Sequence, residues 1–214
     1  MKDLGNYRKS YEKSELLESL IPEDPINLFH KWFHEVEEFG GIEEVNAMTV
    51  STIGIDGFPK SRVVLLKKYN EEGFVFFTNY NSEKGKAIIN NQNVCLSFFW
   101  SSMERQVIIK GIAEKTSEAI SDNYFDSRPE GSKLGALASE QSNIIPNREF
   151  LEKQLKELEQ KFIDKPIPRP KHWGGFIIKP IEVEFWQGRP NRLHDRIVYK
   201  LSENYDWIIL RLSP

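Results

Sequence analysis

Between Trp186 and Arg196 the chain reads WQGRPNRLHDR, and three side chains able to meet an anion, Arg192, His194 and Arg196, stand at every second position. If this stretch opens a strand, the three share one face, each about 6.6 Å from the next. Arg192 and Arg196 would then repel unless something negative lay between them. The row is therefore either a seat for an anion or a solvated strand face capped by Trp186. A second set lies in the segment Tyr124 to Ser132. Tyr124 and Arg128 are four apart at the end of a predicted helix, on one face. Ser132 precedes another predicted helix, whose free N–H groups and positive dipole end favour an anion. That segment is either a phosphate cradle or a simple capped turn, SRPEGS.

The elements that must position these groups follow from the apolar pattern. Ile181, Val183 and Phe185 alternate with Glu182, Glu184 and Trp186, the period of a half-buried strand. Gln187 to Asn191 then supplies the Gly, Pro and Asn of a turn, so a hairpin would fold Trp186 back towards the Arg/His row. Upstream, Asp24-Pro25 reads as a helix cap and first-turn proline, and Leu28, Trp32, Phe33 and Val36 keep helical spacing until Gly40-Gly41. Strands are expected over Ala47 to Gly54, Lys60 to Tyr69, Gly73 to Asn79, Val94 to Ser101, Gln106 to Lys115, Gly175 to Trp186, Leu193 to Leu201 and Tyr205 to Leu212. Helices are expected over Ser82 to Asn91, Ser117 to Phe125, Ser132 to Ser139 and Arg148 to Phe162. Residues 1–20 read as a flexible arm or a short helix, ahead of a single domain over 21–214. Helices, a strand cluster, helices and strands again imply a mainly β, α+β fold, an antiparallel barrel with peripheral helices. Val63-Val64-Leu65-Leu66 is apolar on both faces, as a strand between an interior and a second buried surface would be. A subunit interface is one candidate for that surface.

Bulk properties exclude several classes. The 214 residues suffice for a real core, and a net charge of −3 gives no basic face for nucleic acid. No apolar run nears a membrane span, and the N-terminus carries no signal-peptide core. The single cysteine, Cys95, has no internal disulfide partner. Together these place the protein in the cytoplasm, free of membrane and nucleic-acid partners. Five Trp and fourteen Phe suit a compact β core or an aromatic surface against a planar ligand. His30, His34 and His172 lack nearby metal-ligand partners and read as structural, so no metal is expected.

A resemblance gathers these pieces. The run Ser61-Arg62-Val63-Val64-Leu65-Leu66-Lys67, then Phe77-Thr78-Asn79, Ser82-Glu83-Lys84, Glu104-Arg105-Gln106-Val107, Tyr124 to Pro129, Gln141-Ser142, Trp173 to Phe176, Glu184 to Gly188 and Arg192 to Arg196 resembles the pyridoxine/pyridoxamine 5'-phosphate oxidase family, in the family's order from about residue 25 to the end. Each piece alone is weak; their ordered concurrence is specific. The resemblance implies an FMN-binding Greek-key split β-barrel and a homodimer with FMN at the interface. It also implies oxidation of pyridoxine 5'-phosphate and pyridoxamine 5'-phosphate to pyridoxal 5'-phosphate. Hydride would pass from substrate C4' to flavin N5, with O2 reoxidising the flavin and yielding H2O2.

By that resemblance Arg62 and Lys84 hold the FMN phosphate, and the segment Arg62, Val63, Val64, Leu65, Leu66, Lys67 runs along the flavin. Phe77, Thr78, Gln106, Gln141, Ser142, Trp186 and Arg196 meet its ring system. Lys67, Tyr124, Arg128 and Ser132 take the substrate phosphate, while Arg192 and His194 cover the pyridine ring as the catalytic pair. Arg8 and Tyr11 fall where the family's arm closes over substrate. Arg62 and Lys67 differ by five positions, so a regular strand would point them to opposite faces unless a bulge intervenes. Two departures stand out. Glu83 occupies a position that is basic in some relatives, which removes a phosphate contact and is expected to weaken FMN binding. Phe77 stands where a Tyr can occur. Two other readings compete: a split-barrel flavin oxidase for another compound, and a non-catalytic carrier of FMN or pyridoxal phosphate.

Overall fold

The first helix, α1 (Pro25–Phe39), shows how directly local sequence dictates its element in the computed structural model, which describes every residue from Met1 to Pro214. The Asp24 carboxylate accepts the Ile26 N–H, Pro25 opens the first turn, and Gly40 at φ 73° closes the helix by donating to the Val36 carbonyl. The remaining helices are α2 (Glu83–Asn90), α3 (Glu118–Asp126), α4 (Glu130–Ala138) and α5 (Arg148–Lys161). Ser82, Ser117 and Asn147 cap α2, α3 and α5 through their side chains.

There are nine strands: β1 (Ala47–Ile53), β2 (Pro59–Leu65), β3 (Lys68–Asn70), β4 (Gly73–Asn79), β5 (Asn93–Trp100), β6 (Arg105–Lys115), β7 (Trp173–Gln187), β8 (Asp195–Leu201) and β9 (Trp207–Leu212); burial alternates along β1, β5 and most of β6, whereas β4 is buried on both faces. Their order in the sheet is β2-β1-β5-β6-β7-β4-β3, with β8 on β7 and β9 on β8. The long strand β7 has two antiparallel partners. Its first half, Trp173 to Ile178, pairs β4, and its second half, Glu182 to Gln187, pairs β8.

The chain divides into two compact units. The first comprises 1–50, 95–111 and 180–214, the second 51–94 and 112–179. In the first, the apolar stripe of α1 buries Phe29, Trp32 and Val36, with the Phe29 ring 5.1 Å from Phe98 and Trp32 edge-on to Phe185 at 5.2 Å. Each such fully buried ring stabilises the fold by roughly 1.5–3 kcal/mol. In the second, Phe125, Leu134, Ile167 and Trp173 form a cluster that Leu155, Leu158 and Phe162 of the α5 region cover.

Three expectations need correction. The strand expected over Lys60 to Tyr69 is two strands, β2 and β3, broken where Leu66 turns inward and the Lys67 N–H reaches the Val75 carbonyl at 2.8 Å. The break resets the alternation, so Arg62 and Lys67 owe each other no facing rule. The Arg192 to Arg196 row does not begin a strand. Pro190 starts a 3-10 turn, Asn191 and Arg192 take left-handed φ of 56° and 63°, and β8 begins only at Asp195. Arg192 therefore stands on the turn, exposed, while Arg196 lies in the sheet. Helix α4 starts at Glu130, because Pro129 with its φ of −55° sits at the cap position. Ser132 is thus inside the first turn, its N–H given to the Pro129 carbonyl. In the arm, a 3-10 turn spans Glu18–Leu20, a turn lies at Gly5–Asn6, and the N–H groups of Glu12, Lys13 and Leu16 donate to Glu104 and Asp195.

Candidate active site

In the second unit a cavity of about 690 Å³ gathers eleven of the residues singled out in the sequence. From the end of β2 and the break after it come Val63, Val64, Leu65 and Lys67; from β4, Phe77 and Thr78; from α2, Lys84. Tyr124 and Arg128 come from the end of α3 and the turn beyond it, Ser132 from α4, and Gln141 from the following loop. The wall thus carries three cations, Lys67, Lys84 and Arg128, and no carboxylate.

Each cation is placed by its surroundings. The Lys84 ammonium donates to Thr78 Oγ1 and Gln141 Oε1, both at 3.3 Å, and has no carboxylate within ion-pair distance. Burial, and next the neighbouring Arg62, hold it below the ordinary lysine value. Arg128 lies with its guanidinium 4.6 Å over the Trp173 ring, and its buried Nη1 has no hydrogen-bond partner. Burial likewise depresses its pKa. Phe77, Tyr124 and Trp173 form a stacked set beside it, with Phe77 and Tyr124 centroids 3.9 Å apart. A buried donor without an acceptor costs about 1–3 kcal/mol until something fills it. An anion at Arg128 and Lys67, and another charge or carbonyl at Lys84, Thr78 and Gln141, would relieve that cost. The donor set therefore fits a phosphate ester and the polar edge of a flavin.

Leu66, Arg62 and Ser142 lie outside this wall. Leu66 is core. Arg62 donates to Thr52 Oγ1 at 3.2 Å and stands 3.6 Å from Glu83. Ser142, at φ 75°, lines a second cavity of about 450 Å³ with Lys60, Glu83 and Lys86.

The first unit holds the other set. Register pairs Trp186 with Arg196 across β7 and β8, and the Trp186 ring is 4.7 Å from that of His194, as the expected hairpin required. His194 Nδ1 accepts the Arg189 N–H at 3.1 Å, so the neutral imidazole carries its proton on Nε2. Burial, then Arg192, hold this histidine below its ordinary pKa, against a weaker opposite pull from Asp195. Arg196 is engaged with Glu184 at 2.8 Å and with the Ser213 carbonyl. Gln106 is half-buried on β6.

The arm closes on this set. Tyr11 meets Trp186 and His194 edge-on, at 5.7 and 5.8 Å. A side chain at Gly188 would lie 2.7 Å from the Tyr11 ring, so the turn needs glycine there. Arg8 remains exposed, its Nε donating to the Gly5 carbonyl and its N–H to that of Asn6. Sequence reasoning missed the anchors: Glu104, 2% exposed, accepts the Glu12 and Lys13 N–H groups and pairs with Lys9. Arg189 and Arg211 hold Ser14, Leu16 and Glu18. Their one legible signal was position, Glu104 in the tight turn before β6 and Arg189 in the turn after β7.

A family model described as pyridoxamine 5'-phosphate oxidase matches residues 33–162, and one described as the pyridoxine 5'-phosphate oxidase C-terminal dimerisation region matches 173–214. Proteins named pyridoxine/pyridoxamine 5'-phosphate oxidase from Flavobacterium johnsoniae and Flavobacterium psychrophilum are 74% and 70% identical, over all of both chains in each case. Among solved structures, PhzG from Burkholderia lata 383, in complex with tetrahydrophenazine-1-carboxylic acid, superposes with a TM-score of 0.87 at 27% identity, covering 95% of this chain and 100% of that one. A pyridoxamine 5'-phosphate oxidase-related, FMN-binding protein from Nostoc punctiforme gives a TM-score of 0.70 at 12% identity, over 91% and 100%.

Proposed function

This chain belongs to the pyridoxine/pyridoxamine 5'-phosphate oxidase family, and from that premise we propose how its two residue sets share the work. It is an FMN-dependent enzyme with the split-barrel fold that oxidises pyridoxine 5'-phosphate and pyridoxamine 5'-phosphate to pyridoxal 5'-phosphate, and it forms a homodimer. FMN, when bound, supplies the acceptor for a hydride from the substrate's C4' and returns the electrons to O2, giving H2O2.

The chain's own residues bind and orient. Lys67, Tyr124, Arg128 and Ser132 hold the substrate phosphate, for which the unpaired Arg128 Nη1 is the observation that carries the reading. Arg62 and Lys84 hold the FMN phosphate, with Val63, Val64, Leu65 and Leu66 alongside. Phe77, Thr78, Gln106, Gln141, Ser142, Trp186 and Arg196 serve the ring system. Arg192 and His194 lie over the substrate ring and fix its reacting carbon, and His194 offers Nε2–H rather than a free base. Tyr11 and Arg8 belong to an arm, residues 1–20, that shields the site from water on a domain formed by 21–214. A second copy would cover Val63, which is 67% exposed, placing FMN at the interface. The lone Cys95, without a disulfide partner, supports a reaction in the cytoplasm; separately, no helix is long and apolar enough to cross a membrane.

A phosphate-free substrate would leave Arg128 buried without a partner, which argues against an oxidase of some other compound. The test is an absorbance spectrum of the purified protein, followed through addition of pyridoxine 5'-phosphate under nitrogen and then air. Bleaching of the flavin band at roughly 450 nm and its recovery with pyridoxal 5'-phosphate formed is the expected outcome. A flavin band that never bleaches would overturn the substrate assignment.

A further inference from the structure

Glu83 immediately precedes Lys84, and by charge alone it should repel a phosphate held by its neighbours. The structure shows what it does instead. Its Oε1 is hydrogen-bonded to the Lys60 ammonium, and its Oε2 lies 3.6 Å from Arg62 Nη2. Lys60 and Arg62 are alternate residues of β2, on one face of the strand. One carboxylate thus ties together two cations of that face, next in sequence to Lys84, whose own ammonium is turned to Thr78 and Gln141. Asp56 Oδ2 stands further off, 3.8 Å from Lys60. Lys60 and Glu83 also line the second cavity with Ser142.

On the reading that Arg62 and Lys84 hold the FMN phosphate, we propose that Lys60 is a third phosphate-binding cation of this chain, carried by β2 and held in place by Glu83, in compensation for the acidic residue at position 83. The charge balance supports it. Arg62 and Lys84 against Glu83 and the more distant Asp56 leave no net positive charge for a dianion, whereas adding Lys60 leaves one. The geometry supports it as well, because a lysine is a flexible point charge that gains most from a tether. Glu83 is then a positioning residue for Lys60 and Arg62. The Lys60–Glu83 hydrogen bond raises the lysine's pKa, keeping it charged throughout the working range.

The alternative is that Lys60 merely neutralises Glu83, and a double-mutant cycle on FMN affinity separates the two. The readout is quenching of FMN fluorescence on titration with apoprotein, with riboflavin, which lacks the phosphate, as a second ligand. Lys60→Met is expected to weaken FMN roughly tenfold or more, the loss of one charge-assisted contact, and to leave riboflavin affinity unchanged. Lys60→Met combined with Glu83→Gln should stay weak, and Lys60→Arg should retain most of the affinity. Recovery of wild-type FMN affinity in the double variant would overturn the proposal, as would equal losses for FMN and riboflavin. Failure of the unaltered protein to bind FMN would instead sink the underlying reading.

Discussion

The two residue sets differ most in what their charges are doing. In the second unit the cavity cations Lys84 and Arg128 are partly buried, depressed in pKa and without a carboxylate, and Arg128 leaves a nitrogen unpaired. In the first unit most cations around the His194 turn are already paired: Arg196 with Glu184, Arg189 with Glu15 and Asp195, Arg211 with Glu18 and Asp195. Arg192, on its left-handed turn, makes no such pair. Unpaired buried charge is costly in the free protein and is recovered on binding, so the cavity set is built for anionic ligands. Paired charge has already found its partner and serves as scaffold. The first unit spends its electrostatics on fixing one imidazole, one free guanidinium and the arm that covers them.

That contrast predicts opposite phenotypes for alanine in the two residue sets. Arg62→Ala should release FMN, whereas Arg192→Ala should lower turnover while the protein stays yellow. Equal flavin loss in both would erase the distinction. Within the cavity, Arg128→Met is expected to lower kcat/KM for pyridoxine 5'-phosphate by about two orders of magnitude, because a charge-assisted contact contributes about 1.5–3 kcal/mol. The reaction of unphosphorylated pyridoxine should hardly change. A similar loss for both substrates would mean that Arg128 holds the stacked Tyr124 and Trp173 rings rather than the phosphate.

The fold was legible wherever one signal dominated. The caps of α1 and α2, the start of α3 at Ser117 and the alternation in the second half of β7 fall where the sequence placed them, within two residues. What escaped was set by tertiary context. Nothing in RVVLLKKY announces that Leu66 turns into the core and splits the strand. The left-handed pair Asn191-Arg192 depends on a turn whose geometry only the completed hairpin fixes. The candidate site residues stood out through motif order, but the partners that hold them did not. Glu104, Arg189 and Lys60 each act on residues tens of positions away or more, and no periodicity links Lys60 to Glu83 or Glu104 to Glu12.

Smaller effects probe the scaffold side. Glu104 is almost wholly buried at φ 57° and holds two arm N–H groups, so its charge is the arm's main anchor. Glu104→Gln keeps the shape and removes the charge. KM is expected to rise by roughly threefold to tenfold, with faster hydrogen exchange at the Glu12 and Lys13 amides. Unchanged exchange would show that Tyr11 and Arg189 anchor the arm without it.

The smallest effect concerns His194. Its folded pKa lies below the ordinary 6.5, so the neutral Nε2–H form already prevails at neutral pH. Protons bind the unfolded chain more readily, so this group favours folding above pH 6.5 and loses that contribution as pH falls towards the folded value. Turnover that needs the neutral form should be flat near pH 7 to about 8 and should fall only on the acid side. In Arg192→Ala one of the charges depressing the imidazole is gone, so the residual activity should show its acid limb displaced to higher pH. A limb that stayed in place would mean that burial alone sets the His194 pKa and that the two residues act on the substrate independently.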